Sequence, residues 1–273
     1  FFTRTLAAST GYTSEIINGG RVDNKGIELS ARLNNTWGDF QWSTYLTYTL
    51  NRNKVKELVK NYKDPYTGEI VNLDQIEMAS TSMYKMILTE GGSIGDIYVN
   101  TLKTDEHGNI YVEYPSNTVV ADRNNFIKAG SANPKYNLSW GNEFFWKGFN
   151  LSFLVTARVG GIGVSQTQAV MDYFGASKAS ADARENGVII NGRPIPAQGY
   201  FQTVGAEGNN GGVGSQYVYS ATNVRLGELT LGYNFPIKKW VPWMQELNVS
   251  FIGRNLFFFY RKAPYDPELT AST

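Results

Sequence analysis

Few residues in this chain are of a type and spacing that could do chemistry. The single histidine, His107, stands in "DEHGN" between two short apolar runs, and a metal site or a Ser-His-Asp relay needs partners that nothing nearby supplies. A turn is the expected setting. "YDPEL" brings two carboxylates close together, Asp266 and Glu268, in a pattern that reads as a capped turn rather than an acid/base pair. Glu28 and Arg32 share one face of an extended run, where an ion pair lining a wet interior is a simpler account than catalysis. "GGIGVSQ" and "GGVGSQ" resemble pieces of a phosphate loop. Both lack the Lys-Ser/Thr ending, and neither shows a helical continuation in its sequence, so flexible loop glycine is expected. There is no cysteine, which removes thiol catalysis and disulfide scaffolding. The residues call for no enzyme activity, no cofactor and no metal.

The elements that would position any site are strands. Aromatics make up 14% of the 273 residues and charged residues only 18%, a balance that suits pleated surfaces. A net charge of +1 gives no reason to expect a nucleic acid partner. No apolar run approaches the ~18 residues of a membrane helix. Dyad alternation recurs instead. Ile27, Leu29, Ala31 and Leu33 oppose Glu28, Ser30, Arg32 and Asn34, and Phe40, Trp42, Leu46, Tyr48 and Leu50 oppose Gln41, Ser43, Tyr45, Thr47 and Thr49. Tyr136 to Trp146 and Phe149 to Val159 form a matching pair around Lys147-Gly148. Leu229, Leu231, Tyr233 and Phe235 continue the pattern. In the last run, Leu247, Val249, Phe251, Phe257 and Phe259 share a side, but Ile252, Leu256 and Phe258 spoil the alternation opposite.

These runs suit tilted membrane-crossing strands of about 9–11 residues better than the usual globular strand of about 5–6. Trp37, Trp42, Trp140, Trp146, Trp240 and Trp243 lie in or beside them, several near strand ends, where aromatics settle at a headgroup boundary. Connections alternate short and long: "NTWGD", "KG" and "PIKKWVPWMQ" on one side, about 53–134 and 161–217 on the other. That asymmetry belongs to a membrane barrel with short inner turns and long outer loops. Within the loops, "NYKDPYTGEI" and "TDEHGNIYVEY" read as small hairpins, "ASKASADARENGV" as a short helix and "GAEGNNGGVGSQ" as a mobile segment.

Several motifs, in order, carry a resemblance. "VRLGELTLGYNFP" followed by "ELNVSFIGRNLFFFYRKAPYDPEL" resembles the closing strands of SusC/RagA-type TonB-dependent transporters, through Arg225, Leu226, Thr230 to Pro236, Gly253 to Phe257 and Tyr265 to Glu268. "STGYTSEIINGGRVDNKGIELS" also matches, at Gly19-Gly20, Asn24-Lys25-Gly26 and Glu28-Leu29. So do "EGGSIGDIYV" and "GSANPKYNLSWGNEFFWKGFNLSFLVTARVGG". The resemblance implies an all-β fold: an antiparallel transmembrane β-barrel of 22 strands, of which residues 1–273 form a C-terminal part. Six complete crossings are expected, preceded by the tail "FFTRTL" of another, with the plug domain and the final strand lying outside the chain. Six strands alone would leave both edges unpaired in lipid.

The resemblance further implies active import across the outer membrane of a glycan or peptide nutrient. The implied partners are a SusD-like surface lipoprotein, TonB acting through an upstream region, the lipid bilayer and an oligosaccharide or peptide. The outer-loop aromatics Tyr84, Tyr98, Tyr111, Tyr114, Tyr173, Phe174, Tyr200 and Phe201 are candidates to stack on a ligand, to meet the lid protein or to pack within their own loops. Glu28, Arg32, Arg158 and Arg254 are expected to face the lumen. A passive porin-like channel and a secreted carbohydrate-binding β-sandwich are the alternatives. The sandwich requires a second sheet over Leu151, Phe153 and Val155.

Overall fold

The computed structural model describes residues 2–5, 11–17, 20–64, 68–208, 210–239, 241 and 243–268; Gly19, Trp240 and Leu269 lie outside them. The chain divides into two compact units. One is a strand wall, Lys25–Arg52, Pro134–Gly161 and Ser220–Thr273; the other gathers Phe1–Asn24, Asn53–Asn133 and Ile162–Tyr219. Phe2–Thr5, within "FFTRTL", pairs with Ser14–Ile17 as a separate two-stranded ribbon.

The wall is one six-stranded sheet whose spatial order follows the chain: Arg21–Trp37, Phe40–Glu57, Tyr136–Trp146, Phe149–Val159, Asn223–Phe235 and Leu247–Arg261. From Phe40–Glu57 onward the neighbours run antiparallel. Tight turns set the register. Lys147 (φ +46°) and Gly148 (φ +92°) both take the left-handed conformation that a two-residue hairpin needs to match strand twist. A Cβ on Gly148 would sit 2.9 Å from the Asn234 carbonyl of the next strand.

Because register holds across the sheet, like side chains line up in rows. Trp42, Phe144, Leu151, Leu231 and Phe251 form one apolar row, and Leu46, Trp140, Val155, Leu226 and Phe257 another. On the opposite face, Ser43, Glu143, Ser152 and Thr230 align, as do Thr49, Asn137, Arg158, Asn223 and Arg261. Beta-bulges explain the broken alternation. Gly227 is the extra residue between Leu226 and Glu228, so Val224 and Leu226 rejoin the apolar face although Leu229 has the opposite parity. Asn255 (φ +52°) and Leu256 widen the last strand in the same place, and Leu256 packs against the bare backbone of Gly253. Phe258 thus pairs with Arg225 on the polar face, under the Arg261 guanidinium at 5.1 Å. Ile252 remains apolar in a polar row and exposed.

Among the described residues of this unit no second sheet covers the apolar face. Leu151 is 38% exposed, Trp140 47% and Phe251 76%, and Phe153 packs against its same-face neighbours Trp140 and Phe144. This is not the interior of a sandwich. At the short-turn end Trp37 stacks on Phe40 and Trp42, and Phe149 meets Tyr233 at 4.5 Å. Tyr48 and Tyr136 meet at 5.6 Å toward the other end. Eight residues separate Phe40 from Tyr48, about 27 Å of strand and roughly 20 Å of height at a tilt of about 40°. Two polar side chains on this face are used by indoles: Trp42 Nε1 donates to Asn142 Oδ1 and Trp140 Nε1 to Thr44 Oγ1, both at 3.1 Å. No described helix is long and apolar enough to cross a membrane.

The second unit has its own core. The antiparallel strands Gln75–Ser80, Tyr84–Thr89, Asp96–Leu102 and Ala121–Ser131 form a sheet, and three helices follow: α1 Gln166–Tyr173, α2 Lys178–Asn186 and α3 Ala197–Val204. Met83, Leu102, Val119, Ala169, Phe201, Val204, Val213 and Tyr217 share one apolar cluster, so both long loops contribute to it. Helix α2 and the hairpins at Tyr62–Lys63/Ile70–Val71 and Thr104/Ile110 match the sequence reading. Two expectations are corrected. "GGIGVSQ" does lead into a helix, with Ser165 capping α1 by accepting from Gln168 N. "GAEGNNGGVGSQ" is packed rather than loose, since Ala206, Val213 and Gly214 are buried and a Cβ on Gly214 would strike the Met83 carbonyl at 2.2 Å.

Phe153→Arg places a charge among exposed apolar neighbours and should cost about 2–4 kcal/mol of membrane-folded stability. Ser152→Arg, one residue away and beside Glu143, should cost less than about 1 kcal/mol. Denaturant unfolding of the folded protein in lipid vesicles measures both; equal costs would show that the faces are exchanged.

Candidate functional site

In the loop unit the site-forming segments are tied down by buried polar groups. Asn100, fully buried, donates from Nδ2 to the Ser82 and Gly212 carbonyls at 3.2 and 2.9 Å and accepts from Gly214 N at 2.6 Å. The glycine-rich segment is thereby sewn to Asp96–Leu102, one of the two inner strands of the sheet. Asp172 in α1 is also buried. It accepts from the Tyr217 hydroxyl and from Gln168 Nε2, each at 2.9 Å. Burial, followed by the Asp172 charge, pushes the Tyr217 hydroxyl far above its usual range, so it stays a donor.

Two motif stretches 40 residues apart converge. In "EGGSIGDIYV", Ser93 Oγ donates to Asn53 Oδ1 at 2.6 Å and accepts from Asn133 Nδ2 at 3.2 Å. Asp96, 2% exposed, accepts from Ser93 N at 2.9 Å and pairs with Lys128 at 2.5 Å. Gly95 has no room for a side chain, because a Cβ there would lie 2.6 Å from Asn133. Glu90 accepts from Lys60 Nζ and from Leu58 N, which hold its carboxyl below the usual range. "DEHGN" is a turn: Asp105 Oδ1 accepts from His107 N and Asn109 N, and Asp105 Oδ2 from Asn109 Nδ2. These interactions lower the Asp105 carboxyl, with the Asn109 side chain the leading cause.

The candidate aromatics separate by setting. Phe201 is buried in the loop core and Tyr84 packs against it, so both take packing roles. Tyr98 is half-buried, its hydroxyl 3.5 Å from Thr89 Oγ1. Tyr200 stacks edge-on against Phe201 and donates to Gln216 Oε1 at 3.1 Å. Tyr173 donates to Glu207 at 3.1 Å, which raises its hydroxyl, and meets the exposed Phe174 at 5.1 Å. Tyr111 is exposed, and Tyr114 is 91% exposed.

Two clefts in this unit collect some of these rings. One, of about 340 Å³, lies among Tyr173, Phe174, Arg184, Gln198, Phe201 and Gln202. The other, of about 540 Å³, sets Tyr114 beside Asp105, Asn109, Glu113, Asn117, Asn191 and Arg193. An exposed ring with amides and charged groups around it can stack on the flat face of a ligand while hydrogen-bonding its edges. Tyr84, Tyr98, Tyr111 and Tyr200 line neither cleft.

On the wall, Glu28 and Arg32 do not pair among the described ion pairs. Four residues along a strand span about 13 Å, too far for contact. Arg32 instead lies 5.3 Å from the Tyr45 ring, which crosses the bare backbone of Gly141. Arg254 Nε donates to Glu228 at 3.1 Å, and Arg158 stands in the polar row with Asn137 and Asn223. Sequence reasoning missed Asn100, Asp172 and the role of Arg225. Only Arg225 carried a signal, as part of the Arg-Leu motif.

No model of a known protein family matches the chain. Two curated proteins of Formosa agariphila are similar along almost all of it. TonB-dependent receptor P3 is 26% identical over 292 residues, taking in 98% of this chain and 27% of that protein. TonB-dependent receptor P26 is 23% identical over 285 residues, taking in 97% and 27%. Among solved structures, the RagAB peptide transporter superposes with a TM-score of 0.59 at 15% identity, over 96% of this chain and 28% of its own. The RagAB peptide importer in its open-open state gives 0.59 at 18%, over 97% and 28%. The chain thus spans about a quarter of the length of the proteins it matches.

Asn100→Ala should destabilise the loop unit by about 2–4 kcal/mol, because Gly214 N and two carbonyls lose buried partners. Hydrogen exchange across residues 206–217 should accelerate while exchange in the wall strands does not. Tyr217→Phe, which removes a donor from Asp172, should cost about 1–3 kcal/mol, whereas Tyr173→Phe at the surface should cost at most about 0.5 kcal/mol. Thermal unfolding followed by loop-specific proteolysis checks the ranking.

Proposed function

For a chain that is, in sequence and fold, a barrel segment of a SusC/RagA-type TonB-dependent transporter, we propose that the whole protein imports a nutrient across the outer membrane. The observation that carries this reading is the wall itself. Six long strands follow one another in a single meander, and the apolar face is left largely exposed while the opposite face carries mostly polar rows, interrupted by Ile252 and Phe258 on the last strand. In hydrocarbon such a sheet is viable only with both edges paired, so Arg21–Trp37 and Leu247–Arg261 join further strands of a closed barrel. The apolar face meets acyl chains and the polar face borders the bore.

The likeness to TonB-dependent receptors supports a bore closed by a plug that TonB displaces, driven by the inner-membrane proton gradient. The likeness to RagAB supports an outer lipoprotein of the SusD type as the lid and a peptide as cargo, with an oligosaccharide the alternative that the motif resemblance leaves open. In this reading the loop unit faces outward, and its two clefts and its exposed rings, Tyr114 and Phe174, contact cargo or lid. Phe201, Tyr217 and Asn100 keep those surfaces in place.

Uptake of labelled oligosaccharide or peptide pools by cells carrying the full-length gene tests the reading. Uptake should stop when the proton gradient is collapsed or TonB is removed, and should fall at least tenfold without the lid lipoprotein. Uptake that persists in de-energised cells would identify a passive channel instead.

A further inference from the structure

The segment after the last wall strand, residues 262–268, makes no strand pairing, yet Ala263 is buried and Tyr265 to Glu268 are half-buried. Charge holds it. Arg225, with its side chain 18% exposed, forms an ion pair through Nη2 with Glu268 and stands 3.8 Å through Nη1 from Asp266. Asp266 Oδ1 in turn accepts from Glu268 N at 3.0 Å, closing a turn that presents both carboxylates to one guanidinium. Pro267 sits between them, and its ring limits the ways the turn can relax.

The position of Arg225 gives this contact a direction. Its row on the polar face holds Thr47, Ser139, Thr156 and Phe258, at the end of the wall remote from the tight turns. The adjacent row carries two more arginines, Arg158 and Arg261, flanking Asn223. Two carboxylates therefore lean onto the middle of a cationic patch, on the side that the proposed function makes the bore. A planar guanidinium facing paired carboxylates in a partly desolvated setting is a geometrically specific contact.

We infer that Asp266-Pro267-Glu268 is a carboxylate ligand for Arg225 supplied by the chain itself, a latch that folds the segment after the last strand onto the polar face. The ion pair stands whether or not the protein is an importer; only the description of that face as a bore rests on the proposed function. The latch also gives the Arg-Leu and Tyr-Asp-Pro-Glu motifs one shared task.

The full-length protein in detergent or vesicles serves for the test. Glu268→Gln combined with Asp266→Asn leaves the wall and Arg225 intact, and heat-modifiable migration verifies a folded barrel. Amide exchange in residues 263–268, the Glu268 amide above all, should accelerate at least tenfold, with the strands Asn223–Phe235 and Leu247–Arg261 unchanged. Arg225→Glu alone should do the same. Arg225→Glu together with Asp266→Arg and Glu268→Arg should restore at least half of the lost protection. Acceleration of less than tenfold in the neutralised variant, or no recovery in the charge-swapped one, overturns the latch. Neither outcome depends on transport, so failure here is separable from failure of the uptake experiment.

Discussion

Pairing of backbone groups is the constraint on which the rest of this structure depends. Hydrocarbon offers no partner for an N–H or a carbonyl, so a strand that crosses it must be hydrogen-bonded to a neighbour along its length. Pairing fixes side chains to a period of two, and antiparallel register carries that period across the sheet. The row Trp42, Phe144, Leu151, Leu231 and Phe251 and the row Ser43, Glu143, Ser152 and Thr230 follow from it. The two faces of the wall differ because register keeps each strand's alternation in step with its neighbours, with few exceptions such as Ile252 and Phe258. Where the sequence breaks parity, at Gly227 and at Asn255-Leu256, the backbone bulges and keeps Arg225 and Glu228 on the polar side.

The loop unit answers the same demand differently. Its long connections hold too little regular pairing to satisfy themselves, so side chains substitute. Asn100 does for the glycine-rich segment what a neighbouring strand would do, and Asp172 serves the Tyr217 hydroxyl within an otherwise apolar cluster. Each such group is costly when left unpaired, which makes these positions determinants of one loop conformation rather than general sources of stability.

Much was legible beforehand. The six wall strands, their faces outside the bulged stretches and the tight turn at Lys147-Gly148 appear in the sequence because alternation is local and a hairpin is set by its own two or three residues. The helix Lys178–Asn186 and the turn around His107 were readable for the same reason. The resemblance located "EGGSIGDIYV", "GSANP", the Arg-Leu strand and the Tyr-Asp-Pro-Glu segment without saying what each does. Contact supplied that: Asn133 on Ser93, Ala132 on Gly95 and Arg225 on Glu268 are pairs separated by roughly 40 residues.

The sequence by itself therefore determined where the six wall strands run, which face their regularly alternating residues take and where the wall turns back, since those depend on neighbours along the chain; the four-stranded sheet of the loop unit and the helices Gln166–Tyr173 and Ala197–Val204 carried no such local signal. Tertiary structure alone decided that the glycine-rich segment is packed, that Phe201 is core while Tyr114 stands out, and that Arg32 turns to Tyr45 instead of Glu28. It also decided which bulges restore parity. These outcomes depend on atoms that meet only once distant strands and loops are in place, and no periodicity records them.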